Sequence, residues 1–327
     1  MMKARVFITR RLPEKVMLEL EDLYIVECNP YDRNIYPEEL EAALQRCDVI
    51  ITMLADKIDA DMLKKSPNLK GICNYAVGYN NIDVQVATEV GVPVCNTPGV
   101  LTEATADLAW ALILAASRRI VESDRYTRAG KFTGWSPLLM LGQDIYGKTL
   151  GIIGAGRIGE AVARRSTGFD MKVLYTSNHE NEWLNDNLQA ARKPLADLLR
   201  ESDIISLHIP YNQNTHHLID AGELKLLKPT AVLINTARGK VVNEPELIKA
   251  LQEKRLAAAG FDVYYNEPEI DPELKALDNV VIVPHIGSAT SETRIRMAEL
   301  VRDNVAACLK GILPPAIVNP QVIKGKG

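Results

Sequence analysis

Two α/β domains built on doubly wound parallel sheets are what this sequence predicts, on three observations. Short runs rich in Val, Ile and Leu alternate with longer helical stretches from one end to the other, the pattern of βαβ units whose strands are buried on both faces. The chain has 327 residues, too many for one typical compact domain and comfortable for two. The alternation breaks once, at a long apolar helical segment, and a second series of strands restarts near Lys148.

In the first series strands are expected at Val6–Thr9, Tyr24–Glu27, Val49–Thr52, Leu69–Cys73 and Val92–Asn96, with helices such as Pro37–Arg46 and Ala60–Lys65 between them. The segment Leu101–Val121 reads as one helix, with Thr102 in a capping position. The second series has strands at Leu150–Ile153, Lys172–Thr176, Ile204–His208, Ala231–Asn235, Ala259–Val263 and Val280–Val283. Six strands with intervening helices suffice for a complete doubly wound sheet. A last helix, Ser291 to about Lys310, with its tail is too short to be a domain and should pack back on the first. The chain should therefore pass between domains near Pro98 and again near Gly287.

Composition narrows the class of protein. Lys and Arg total 38 against 42 for Asp and Glu, a formal charge of -4, so no global basic field of the kind used on nucleic acid is present. The longest wholly apolar run, Leu108–Ala116, is half the length a membrane-spanning helix needs. No secretory leader is legible in MMKARVFITRRLPEK, and the five cysteines (28, 47, 73, 95 and 308) form no CxxC pair. A cytoplasmic protein with reduced thiols and no metal site is the expectation.

The clearest local motif is Gly154-Ala155-Gly156-Arg157-Ile158-Gly159. Glycine triplets are common, but this one follows the apolar strand TLGII and opens a helix, the context a dinucleotide-binding loop requires. Gly154 permits a tight turn, Gly156 lets the backbone approach a pyrophosphate, and Gly159 lets helix and strand pack closely. An acid at the end of the next strand would hold a ribose 2′-OH and repel a 2′-phosphate. Here that stretch reads Thr176-Ser177-Asn178-His179, without an acid before Glu180 and without an Arg to grip a phosphate. Cofactor choice is left open between NAD(H) and NADP(H), leaning modestly to NADP(H).

Three further residues fall just beyond the carboxyl ends of predicted strands, where open α/β sheets bind ligands. They are Arg238 in NTARGK, Glu267 in DVYYNEP and His285 in VIVPHIGS. Neighbouring parallel strands lie about 4.8 Å apart, so the three side chains can converge. Reduction of a 2-keto acid needs a planar cation for the carboxylate, a proton donor for the carbonyl oxygen, and a carboxylate to orient that donor. Arg, His and Glu are the residue types for those roles.

With these residues in place, the chain resembles the D-isomer-specific 2-hydroxyacid dehydrogenase family along its whole length, and within it the glyoxylate/hydroxypyruvate reductases. The likeness is carried by NYAVGYNNID, NTPGVLTEATADLAW, GWSPLLMLGQDIYGKTLGIIGAGRIG, LINTARGKVV, AAAGFDVYYNEP and VVIVPHIGSAT in that order. It implies a Rossmann dinucleotide-binding domain over residues 99–287 and a flavodoxin-like substrate domain over 1–98, completed by 288–327. It implies His285 as proton donor, Glu267 as its partner and Arg238 as substrate-binding cation. The backbone N–H groups of Val77 and Gly78 would cradle the substrate carboxylate. Thr105, Thr236, Ala237, Asp262 and Gly287 would line the cofactor site with the phosphate loop and residues 177–179, and Pro210 and Thr215 would form a loop beside it. Trp135, with Leu138 and Met140, resembles the loop that one subunit of a homodimer lends to its partner's pocket. Asn80 stands where relatives commonly carry Asp, and Asn178 where NADP-using relatives carry Arg. Rival readings are another member of the family, such as a phosphoglycerate dehydrogenase without its regulatory extension, and a non-catalytic NAD-binding corepressor.

Overall fold

The computed structural model describes residues 3–324. The chain folds as two compact units, Met1–Leu101 with Ser288–Gly327, and Thr102–Gly287. Residues 1–2 and 325–327 of the expected first domain lie outside the described residues.

The first unit is built on a five-stranded parallel sheet in the order β2-β1-β3-β4-β5. Its strands are β1 (Arg5–Ile8), β2 (Ile25–Cys28), β3 (Val49–Thr52), β4 (Gly71–Asn74) and β5 (Val94–Cys95). All residues of β3 and β4 are buried, including the polar Thr52 and Asn74 at their ends, as expected of strands covered on both faces. The helix Ser291–Lys310 returns to this unit, capped by the Thr290 hydroxyl accepting from the Thr293 N–H at 3.2 Å and ended by Gly311 at φ 67°. It packs hard on β4: a Cβ on Gly71 would lie 2.6 Å from Cys308 Sγ. Cys73, Cys95 and Cys308 thereby meet in the core, a cluster that spacing along the chain does not reveal.

The second unit carries a parallel sheet in the order β12-β11-β10-β9-β6-β7-β8. Its strands are β6 (Thr149–Ile153), β7 (Lys172–Thr176), β8 (Ala191–Arg192), β9 (Ile204–Leu207), β10 (Val232–Asn235), β11 (Ala258–Phe261) and β12 (Val280–Ile282). The order reverses between β9 and β6, the switch point at which doubly wound sheets open a crevice beyond their strand ends. Seven strands form, not six. The extra one, β8, has only two residues and pairs as Leu174↔Ala191 and Tyr175↔Arg192; it carries no apolar run to betray it.

The segment expected as one helix over 101–121 is two, Thr102–Ser117 and Ile120–Arg128, broken at Arg119 with φ 53°. Thr102 is the first helical residue rather than the cap. The break has a tertiary cause: the Ser117 carbonyl accepts from the Gln143 N–H at 2.8 Å. A Cβ on Gly142 would lie 2.5 Å from that oxygen. The apolar face of Thr102–Ser117 is consumed inside its own unit, where Trp110 stacks on Phe169 at 4.8 Å and donates to the Val162 carbonyl at 2.9 Å. No helix of the described residues is long and apolar enough to cross a membrane.

Candidate active site

In the second unit Arg238, Glu267 and His285 follow the carboxyl ends of β10, β11 and β12, which are successive neighbours in the sheet. The Arg238 turn is tied by Asn235, whose side chain accepts from the Ala237 N–H and donates to the Arg238 carbonyl, both at 2.9 Å. Gly239 then passes so close to the next loop that a Cβ there would lie 1.9 Å from the Tyr264 carbonyl oxygen. Only glycine allows that approach, and the approach brings the Arg238 loop against the loop carrying Glu267.

Glu267 is held at both oxygens. Oε1 accepts from the Tyr264 N–H at 2.9 Å, and Oε2 lies 2.8 Å from His285 Nδ1. Burial acts to raise this carboxyl, but the hydrogen bond and charge of His285, the Tyr264 N–H and the Arg238 cation together hold it below its ordinary value of 4.5. Arg238 is pulled down by burial, with the Glu267 charge acting against it; a guanidinium so placed stays charged.

His285 adopts φ 54°, the left-handed region. Such a residue persists where its surroundings over-determine it, and here they do. The buried Asp262 accepts from the N–H groups of Ile286 and Gly287, at 2.6 and 2.7 Å. Thr105 donates to the Gly287 carbonyl at 3.2 Å. Burial raises the Asp262 carboxyl, opposed by the Ile286 N–H and the nearby His285 charge. Tyr264, which sequence reading passed over, donates to the Val283 carbonyl at 2.7 Å and joins the β11 and β12 ends.

The phosphate loop forms a second group in the same unit. Gly154 has φ 99°, and a Cβ there would lie 2.7 Å from the His208 backbone. A Cβ on Gly159 would lie 2.1 Å from the Gly154 carbonyl, so helix and strand meet as the motif requires. Gly156 faces open space, and no side chain caps the helix Arg157–Arg165 that it precedes. In the same unit, just past the end of β10, the Thr236 hydroxyl is buried without a protein partner. A dinucleotide fits these features: an approachable backbone, uncapped N–H groups at a helix start, and a hydroxyl awaiting an acceptor. Thr215 ties its loop by donating to the Pro210 carbonyl at 2.8 Å. His208, bonded to the Ser206 hydroxyl at 2.8 Å, is pushed by burial to about 3 and is neutral.

Past β7, Asn181 donates to the Ala155 carbonyl at 3.0 Å and to Glu160 at 2.8 Å, joining the loop of Ser177, Asn178 and His179 to the phosphate loop. An arginine does reach this loop, from β8: Arg192 bonds the carbonyls of Ser177 and Asn178. Sequence reading missed it because β8 was not legible.

In the first unit the turn after β4 is held by buried amides. Asn74 donates to the Gly78 carbonyl and Asn96 to the Val77 carbonyl, both at 2.8 Å, while Thr52 donates to Asn74 at 3.0 Å. Among the described residues the N–H groups of Val77 and Gly78 bond to no other backbone group. Trp135 is 85% exposed on an irregular loop.

Comparison with known proteins agrees with this geometry. The family model described as "D-isomer specific 2-hydroxyacid dehydrogenase, NAD binding domain" matches residues 110–287. A glyoxylate reductase of Thermococcus gammatolerans is 49% identical, over 99% of this chain and 98% of its own length. One from Pyrococcus horikoshii is 49% identical over the same shares. An NADPH-dependent glyoxylate/hydroxypyruvate reductase from Sinorhizobium meliloti, solved in complex with NADP and malonate, superposes with a TM-score of 0.85 at 30% identity, covering 97% of this chain and 98% of that one. The chain belongs to the D-isomer-specific 2-hydroxyacid dehydrogenase family and is an NAD(P)-dependent oxidoreductase.

Proposed function

We propose that this enzyme reduces glyoxylate and hydroxypyruvate to glycolate and D-glycerate, as a homodimer, with either nicotinamide dinucleotide and a modest preference for NADPH. The observation that carries the reading is the 2.8 Å pairing of His285 Nδ1 with Glu267, in a loop that the Gly239–Tyr264 approach sets against Arg238. The reduced dinucleotide, when bound, supplies a hydride to the carbonyl carbon. With Nδ1 engaged by Glu267, Nε2 is the ring nitrogen left to donate a proton to the carbonyl oxygen, and solvent reloads it. Arg238 binds the substrate carboxylate as a bidentate fork. Asp262, Thr105 and Gly287 keep the His285 turn in place.

The small substrates are supported by the near-50% identity to glyoxylate reductases over almost the full chain. The homodimer is supported by the apolar side chains on the loop around Trp135, where Phe132, Leu138 and Leu141 are also exposed. Steady-state assays with glyoxylate, hydroxypyruvate and 3-phosphohydroxypyruvate, each with NADPH and NADH, test the reading. Turnover of the first two with D-glycerate as product is expected. Efficiency concentrated on the phosphorylated acid would overturn it in favour of a phosphoglycerate dehydrogenase. No turnover of any keto acid would favour a binding protein.

A further inference from the structure

The loop after β7 lacks the arginine that would grip a phosphate on the adenosine ribose, since Asn178 stands there. The register Tyr175↔Arg192 places Arg192 beside β7 on the short edge strand. Its side chain bonds the loop that continues from the end of β7. Nε and Nη2 donate to the Ser177 carbonyl at 3.1 and 2.8 Å, and Nη2 donates to the Asn178 carbonyl at 3.1 Å. Those bonds use one edge of the guanidinium. Among the described residues, the two N–H groups of Nη1 have no protein partner.

Nothing neutralises the charge either. Arg164 and Arg165, on the nearby helix, are paired with Glu103 and Asp107. Arg192 is bonded to carbonyl groups only, is exposed, and has no carboxylate in ion-pair contact among the described residues. An exposed arginine normally loses rotamer freedom when it grips an anion; this one is already ordered by the backbone it would serve, so less is lost on binding. The loop is ordered too. Asn181 anchors it to Ala155 and Glu160, and the Asn181 N–H donates to the Tyr175 hydroxyl at 3.2 Å.

We propose that Arg192 reads a phosphomonoester on the 2′ position of the adenosine ribose, replacing from the neighbouring strand the arginine that the β7 loop lacks. This rests on the reading of the second unit's phosphate loop as the dinucleotide site. The free Nη1 edge donates to the 2′-phosphate, while Ser177 and Asn178 offer neutral hydrogen bonds to either dinucleotide. The residue therefore acts on one cofactor and not on the other.

Calorimetric titration of the full-length enzyme with adenosine 2′,5′-bisphosphate and with 5′-AMP tests this without turnover. The wild type should bind the bisphosphate about 10- to 150-fold more tightly, the range of charge-assisted hydrogen bonds. Arg192→Ala should bring the two ligands to near parity while leaving 5′-AMP affinity in place, which also certifies the fold. Arg192→Lys, keeping charge without the clamp, should fall between. A wild-type preference that survives Arg192→Ala would overturn the role of Arg192 but leave the lean to NADPH intact. Equal losses for both ligands would make Arg192 a brace for the loop, and overturn it as well. A wild type that binds both ligands equally would remove the lean and the proposal together. Failure to bind either would remove the dinucleotide site itself.

Discussion

His285 is turned by its backbone before its side chain does anything. A left-handed φ costs an L-residue roughly 1–2 kcal/mol, and the Asp262 carboxylate holds the turn through two N–H groups at 2.6 and 2.7 Å. Glu267 then sets the ring through Nδ1. The depressed Glu267 carboxyl has a sign that can be followed with pH. Its contribution to stability is complete above its ordinary 4.5 and is lost only as pH falls through its lowered value. For activity, His285→Ala should lower kcat by about 10²–10⁴, the usual worth of a general acid. Glu267→Gln should lower kcat as well, because an amide no longer fixes the ring through a charge-assisted bond to Nδ1. Steady-state constants for the two variants check this, and an unchanged kcat in Glu267→Gln would remove Glu267 from its role.

Strand ends do the assembling. Residues 238, 267 and 285 are far apart in the chain, yet β10, β11 and β12 are consecutive in a parallel sheet and all point the same way. The loops that follow them are locked by backbone contact as well as by side chains. Gly239→Ala tests that lock, because its Cβ would fall 1.9 Å from a carbonyl oxygen that cannot move alone. Overpacking typically costs about 1–3 kcal/mol, and in a domain of this size that is a fall in Tm of roughly 2–12 °C. Scanning calorimetry should show it, with a loss of kcat as the Arg238 and Glu267 loops part. A variant of unchanged Tm would mean that the two loops are not held by this contact.

On the scale of the whole molecule, the apolar helix Thr102–Ser117 is less available to a partner than its composition implies, since its buried face serves its own unit. The exposed apolar side chains gather instead after it. Phe132 (56%), Trp135 (85%), Leu138 (77%) and Leu141 (60%) lie on one irregular loop, and we propose that a partner subunit covers it. A homodimer with two-fold symmetry, the commonest closed assembly, is the expected state at micromolar concentration by light scattering. Trp135→Ser with Leu138→Ser should shift it toward monomer. A wild type that scatters as a monomer would dismiss the dimer.

Fold class, every strand but β8 and the glycine loop after β6 were legible in the residues, because most buried parallel strands leave apolar runs and glycine has few substitutes where backbones touch. The positions of Arg238, Glu267 and His285 at strand ends could be read for the same reason. Invisible were the features that exist only when distant segments meet. Ser117 ends its helix because the Gln143 N–H takes its carbonyl. Ile286 and Gly287 find their acceptor in Asp262. The cation over the β7 loop comes from β8, a two-residue strand formed by pairing with its neighbour rather than by any apolar run of its own. Local patterning records which face of an element is buried; it does not record which donor will meet which acceptor once the elements are packed.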